Sequence, residues 1–205
     1  MKIGIILFTA YFLVSLPSFA QNTKLYYNNG ELKSVGEMRN GTKEGLWKHY
    51  YPGGDVSATE NYRNGILNGK VLYYDTIGNL VGIENWSDGL LEDSAKYFYS
   101  NGNLEKEGRY EDGMYTGRWL FYYENGNLKR EGSYKEGLPE GEWAFYNEDK
   151  VRIQEGSFRN GLEHGLWRFY DNDGRLEYSG SYVYGERKGD WYVYKKNGKK
   201  KKMKY

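Results

Sequence analysis

Apolar positions in this chain come as short runs of aromatic side chains, separated by charged residues and glycine. From Tyr26 onward an aromatic returns every 24 residues, at Tyr26, Tyr50, Tyr74, Phe98, Tyr122, Tyr146, Tyr170 and Tyr194, without an insertion. A second register holds Gly41, Gly65, Gly89, Gly113, Gly137, Gly161 and Gly185. A third holds Gly45, Gly69, Gly117, Gly141, Gly165 and Gly189 and is broken only by Asp93. Two positions later stand Trp47, Trp119, Trp143, Trp167 and Trp191, with Val71 and Ala95 in the two weaker copies. Seven units therefore begin at Tyr26, Tyr50, Tyr74, Phe98, Tyr122, Tyr146 and Tyr170, and a half unit follows from Tyr194.

Within a unit the alternation is that of strands. In the clearest copy, Trp119 to Tyr123 reads as a short aromatic strand, Asn125-Gly126 as a hairpin turn and Leu128 to Tyr134 as a second strand, after which Gly137 to Gly141 turns the chain back. Asn-Gly and Asp-Gly pairs recur along the chain, from Asn29-Gly30 to Asn197-Gly198, and suit turns that need positive φ. Strands joined so tightly pair antiparallel with their neighbours. The expected fold is all-β: an elongated single-layer antiparallel β-meander of about seven 24-residue hairpin repeats, about fourteen strands in all. On the second strand Leu128, Gly132 and Tyr134 share a face, opposite Lys129, Glu131 and Ser133. The glycines Gly36, Gly108, Gly132, Gly156 and Gly180 also recur there, and a strand glycine lets a ring from the next strand lie over bare backbone. The eight-copy aromatic register is assigned to packing between units. The copies from Tyr50 to Tyr97, which lack the Trp of that register, are expected to open first.

Composition changes what the core is made of. The 205 residues include 28 Gly, 23 Tyr, 8 Phe and 6 Trp, so rings rather than Leu, Ile and Val must do the burying. With no Cys, a disulfide scaffold, a thiol nucleophile, a thiolate metal site and a lipoprotein anchor are excluded.

Residues 1–20 form a separate object: Lys2, an uncharged apolar run from Ile3 to Leu16, and small residues at Ser18 and Ala20. This is the pattern of a signal peptide cleaved after Ala20, with an uncleaved anchor as its rival. The mature chain, 21–205, would be periplasmic or extracellular. Its charge is uneven, because Lys195, Lys196, Lys199, Lys200, Lys201, Lys202 and Lys204 crowd the C-terminus. Without them the body carries 21 basic and 28 acidic residues, about −7. That tail either guards the last sheet edge against pairing or attaches the protein to an anionic surface.

The string Gly-x-(Tyr/Phe)-x-x-Gly-x-x-x-Gly stands at Gly108 to Gly117, Gly132 to Gly141, Gly156 to Gly165 and Gly180 to Gly189. It resembles the MORN repeat, and the Gly-x-Trp that ends it is similar to the bacterial MORN-variant form, found in proteins often labelled antitoxin components of toxin–antitoxin systems and in exported proteins. The resemblance spans the mature chain and implies a β-hairpin array used as an interaction scaffold. An antitoxin role sits awkwardly with export.

Catalysis finds little footing. His49 and His164 are roughly 45 Å apart in such a meander, and His49 occupies a register of aromatic residues. Asp171 to Gly174 has the beginning of a calcium loop but coincides with the hairpin register. No enzyme activity, cofactor, metal or nucleic-acid partner is expected. Two binding functions remain: a scaffold for an unknown protein partner, presented on an aromatic sheet face, or a cell-wall or glycan binding module. The candidate binding residues are Trp47, Trp119, Trp143, Trp167 and Trp191, with Tyr51, Tyr99 and Tyr123 from a more variable register, and the lysine tail for an anionic surface.

Overall fold

A computed structural model describes residues 21–203. The segment read as a signal peptide, 1–20, and Lys204 of the tail lie outside the described residues. The described residues form eighteen strands: β1 (Gln21–Tyr26), β2 (Leu32–Arg39), β3 (Thr42–Tyr50), β4 (Val56–Arg63), β5 (Ile66–Leu67), β6 (Gly69–Tyr74), β7 (Leu80–Ser87), β8 (Leu90–Leu91) and β9 (Asp93–Phe98) make the first half. The second half comprises β10 (Leu104–Glu111), β11 (Met114–Tyr122), β12 (Leu128–Lys135), β13 (Leu138–Tyr146), β14 (Arg152–Arg159), β15 (Leu162–Tyr170), β16 (Leu176–Val183), β17 (Glu186–Tyr194) and β18 (Lys200–Lys202). Each strand pairs antiparallel with its sequence neighbour, and β5 and β8 are short leading pieces of β6 and β9. The result is one open all-β meander, with β1 and β18 as end strands beyond the seven hairpin units.

The two long edges of the sheet turn by different chemistry. On one edge both central residues have positive φ, as at Asn40 (51°) and Gly41 (78°) or Asp112 (50°) and Gly113 (77°), which is the I′ turn that matches strand twist. On the other edge, except at Gly53 and Gly54, only the last turn residue is left-handed, as at Gly126 (83°), and the bonds Gly126 N to Tyr123 O and Tyr123 N to Asn127 O close a type I turn with a glycine bulge. The I′ turns also bond to one another along the array. Gly137 N donates to Tyr115 O at 3.0 Å and Gly161 N to Pro139 O at 2.9 Å.

The segment Gly137 to Gly141 departs from the expected long turn. Glu136 and Gly137 alone make the turn, β13 begins at Leu138, and Gly141 lies inside that strand at φ 74°. The first strand of such a unit is thus nine residues long and contains a bulge. Across it Glu107 pairs with Leu120 but Arg109 with Thr116, so Gly108 faces the stretch Gly117 to Trp119. The left-handed glycine is needed there because the bulge swings the Trp side chain back across the neighbouring strand.

That swing builds the core. Trp119 lies over Gly108, Trp143 over Gly132, Trp167 over Gly156, Trp191 over Gly180 and Trp47 over Gly36, so close that a Cβ on any of these glycines would fall inside the indole. Each of the first four also receives a ring edge-on, Tyr110, Tyr134, Phe158 or Tyr182, at 5.1–5.2 Å and 84–88°. The indole nitrogens of Trp47, Trp119, Trp143 and Trp167 donate to the carbonyls of Glu37, Arg109, Ser133 and Ser157 at 3.0–3.2 Å. All five Trp are buried, at 0–4% exposure.

The Trp face is not purely apolar. Lys106 and Arg130 also lie on it, Arg130 with its guanidinium 4.1 Å above the Phe121 ring. Since Trp119 fills its site completely, Trp119→Ala is expected to lower unfolding free energy by roughly 3–5 kcal/mol. Denaturant unfolding checks the size, and hydrogen exchange should place the loss of protection on β10, β11 and β12.

Candidate functional site

The residues marked by the sequence for binding divide by register. Trp47, Trp119, Trp143, Trp167 and Trp191 present no open ring face, because backbone glycine and neighbouring rings enclose them. Tyr51, Tyr99 and Tyr123 are half-buried, and each hydroxyl reaches the next unit: Tyr51 Oη donates to Tyr74 O at 2.9 Å, Tyr99 Oη to Tyr122 O at 2.8 Å and Tyr123 Oη to Tyr146 O at 2.8 Å. Where that register carries Asp75, Asn147 or Asp171, the side chain instead caps its own turn. Asp171 Oδ1 accepts from Asp173 N and Arg175 N at 2.9 and 2.8 Å. The register varies because two kinds of structural bond alternate in it.

The lysine tail forms the last hairpin. Lys195, Lys196 and Lys199 flank its turn, and Lys200, Lys201 and Lys202 constitute β18, the edge strand. Lys202 Nζ pairs with Asp190 Oδ1 at 2.5 Å.

The two weak copies hold the feature that the sequence reading overlooked. In the strand-glycine register the array reads Gly36, Glu60, Glu84, Gly108, Gly132, Gly156, Gly180, and glutamate stands in the same two copies where Trp gives way to Val71 and Ala95. Glycine is required only under an indole; without the indole, the vacated space takes a carboxylate. Glu84 is buried at 7% exposure. It accepts from Tyr73 Oη (2.9 Å), Trp86 Nε1 (3.0 Å) and Tyr97 Oη (2.6 Å), so both carboxylate oxygens are satisfied. The ring-over-glycine contact also moves: an added Cβ at Gly82 would meet the Tyr73 ring at 3.0 Å.

Glu60 is served by His49 Nε2 at 2.7 Å, Tyr62 Oη at 2.5 Å and, farther off, Lys43 Nζ at 3.9 Å. The bond from His49 leads in holding the Glu60 carboxyl below the usual carboxylate range, and Tyr62 and the charges on His49 and Lys43 add to it against burial. Burial pushes the Tyr73, Tyr97 and Tyr62 hydroxyls well above the ordinary phenol range, with their carboxylate partners adding to it, so they stay donors at neutral pH. His164, far along the chain on β15, packs beside Tyr184 at 5.6 Å and shares nothing with His49.

On the opposite face Tyr122, Tyr146 and Tyr170 donate to Glu107, Glu131 and Glu155 at 3.2, 3.0 and 2.7 Å, one per unit. An open depression of about 400 Å³ lies there, walled by Arg118, Arg152 and Arg168. Each of these arginines is already paired, Arg118 with Glu131 at 2.5 Å, and Arg152 and Arg168 with Glu155 at 2.7 and 3.1 Å. The Arg118 bond holds Glu131 below the usual carboxylate range, and burial raises the Tyr170 hydroxyl to about 12. Among the described residues, no group of three or more His, Asp or Glu side chains is placed to hold a metal ion.

Residues 43–64, 94–112, 115–136 and 163–184 each match the family model described as MORN repeat variant, together less than half of the chain. Segment 65–93, which carries Glu84, lies between two of the matches. The matched description is of the repeat alone, and no antitoxin role follows from it. Among curated protein sequences none matches this chain. Solved structures that it is similar to include the GtfA/B complex bound to UDP and GlcNAc, at 11% identity and TM-score 0.25, covering 71% of this chain and 25% of that one. Two more are the TcdB2-TccC3 crystal structure (12% identity, TM-score 0.22, 84% of this chain and 12% of that) and a Photorhabdus luminescens Tc holotoxin pore (13%, 0.22, 85% and 12%). This chain thus spans a quarter or less of each of these structures.

Glu60 adds an acid-sensitive contact to the N-terminal part of the array, as Glu131 and Glu155 do farther along. Its folded pKa lies below the unfolded value near 4.5, so its contribution is fully present above that value and is lost as pH falls through the lower, folded pKa. Hydrogen exchange from pH 7 to 3 should show amides of β3, β4 and β6 losing protection as the pH falls, and Glu60→Gln should remove most of that loss there while leaving the loss around Glu131 and Glu155 unchanged.

Proposed function

We propose that this array is a non-catalytic scaffold that works after export, cleaved behind Ala20, and holds a protein partner. What carries the reading is a row that repeats with the array. Ile66, Leu90, Met114, Leu138 and Leu162 each occupy the first strand position after an I′ turn and stay 45–49% exposed, between Thr42 and Glu186 at the ends of the row. At two strands per unit the row runs roughly 40 Å along one edge. Its members are ordered: Ile66 packs on the turn at Gly89, Leu138 on Gly161 and Leu162 on Gly185. The inter-unit bonds from the Tyr51, Tyr99 and Tyr123 hydroxyls and from the turn glycines stiffen the surface that presents them, so little ordering entropy is lost on binding. In this reading the Trp residues keep the array rigid, and contact shifts from the aromatic face expected from the sequence to this edge.

A photo-reactive side chain placed at Leu138 in the native host tests it. The expected result is one discrete cross-linked protein that disappears when Leu90 and Leu162 are both changed to Ser while the unfolding midpoint holds. Cross-linking that survives the double change, or none above a control placed at Ser94, would overturn it.

A further inference from the structure

On the Trp face, between β10 and β12, an open groove of about 370 Å³ breaks the repeat. One register along this face reads Ser34, Ala58, Gly82, Lys106, Arg130, Gln154, Tyr178, so adjacent copies place two cations where the N-terminal copies keep small, packed residues. Lys129 joins them at the rim. Among the described residues no carboxylate lies within 4.0 Å of Lys106, Lys129 or Arg130, although twelve ion pairs form elsewhere. Unpaired cations converging in a body of net charge about −7 make a local anion-accepting field.

The floor of the groove is made of rings. Arg130 lies 4.1 Å over Phe121, Lys106 lies 4.3 Å over Tyr97 and donates to Tyr115 Oη at 3.0 Å, and Lys129 lies 5.1 Å from the Tyr123 centroid. Tyr115 and Tyr134 stand 5.0 Å apart and splayed by 56°. Rings packed that closely leave no slot between them for a flat aromatic ligand, and their outward edges form a ridge against which the C–H groups of a sugar ring can lie. Glu105 at the rim offers an acceptor to hydroxyl donors.

We propose that this groove binds a hexuronate residue of an acidic polysaccharide, its sugar ring against Tyr115 and Tyr134 and its carboxylate on Arg130, Lys106 and Lys129. Arg130 supplies the planar pair of donors that a carboxylate accepts, and Glu105 takes a ring hydroxyl. The inference is independent of the protein-binding edge, which belongs to other residues.

Titration of the full mature chain with trigalacturonate, followed by calorimetry and by the Tyr115 and Tyr134 ring resonances, tests it. Saturable binding is expected, weaker at higher salt. Lys106→Gln with Arg130→Gln, which installs the residue that Gln154 already provides in the next copy, should weaken it about tenfold or more. Maltotriose and a hexaglutamate peptide should bind at least about tenfold more weakly than trigalacturonate. The proposal is overturned by equal affinity for maltotriose, by tighter binding of the peptide, by an unchanged affinity in the double variant, or by no saturation below about 10 mM. Should the variant unfold, the ring resonances of the unsubstituted chain decide: shifts at Tyr115 and Tyr134 but not at Tyr62 support the site, and their absence contradicts it.

Discussion

An indole laid over a bare glycine is the contact on which this sheet depends. A sheet of one layer has no second layer to bury its apolar face, yet five Trp side chains reach 0–4% exposure. They do so because the strand beneath has no Cβ and because a bulge with a left-handed glycine throws the side chain across that strand; at Trp119, Trp143, Trp167 and Trp191 an edge-on ring also closes the side. Without the bare strand and the bulge the indole has nowhere to lie. Each unit therefore spends a bulge glycine and a strand glycine on one Trp, which accounts for much of the unusual glycine content.

The two exceptions show that the contact is a matched pair rather than two separate preferences. Where Trp becomes Val71 or Ala95, glycine becomes Glu60 or Glu84, and tyrosine hydrogen bonds replace ring stacking. A buried carboxylate without donors would be costly, and Glu84 is supplied with three, while half-buried Glu60 accepts from Tyr62 and lies against His49. The joint between the first and fourth units is thus polar, while the C-terminal half is a continuous run of stacked rings.

Much of the fold was legible in the sequence because its period has no insertions and its turn glycines sit at fixed offsets. The ring-over-glycine contact was legible too, from five glycines on one strand register. Strand length was not: Gly137 to Gly141 reads as a turn, since positive φ at Gly141 serves a bulge as well as a turn, and composition cannot tell them apart. Nor were Glu60 and Glu84 legible as a site, because their meaning lies in a coincidence between two registers eleven residues apart, visible once those registers are known to touch. The structural bonds of Tyr51, Tyr99 and Tyr123 were hidden for a related reason. A register that alternates tyrosine with Asp and Asn has the profile of a ligand-facing row, whereas both types make structural bonds there.

Because rigidity is supplied from within the units, the surface is free to differ from copy to copy, and unpaired cations and exposed leucines gather on different parts of it. That division of labour stands or falls with the matched pair. A double-mutant cycle on Gly132 and Trp143 measures it most directly. Gly132→Ala should cost about 1–3 kcal/mol with Trp143 in place and less than about 0.5 kcal/mol once Trp143 is Ala. An equal cost in both backgrounds would show that the glycine is needed for some reason other than the indole above it, and would contradict the account.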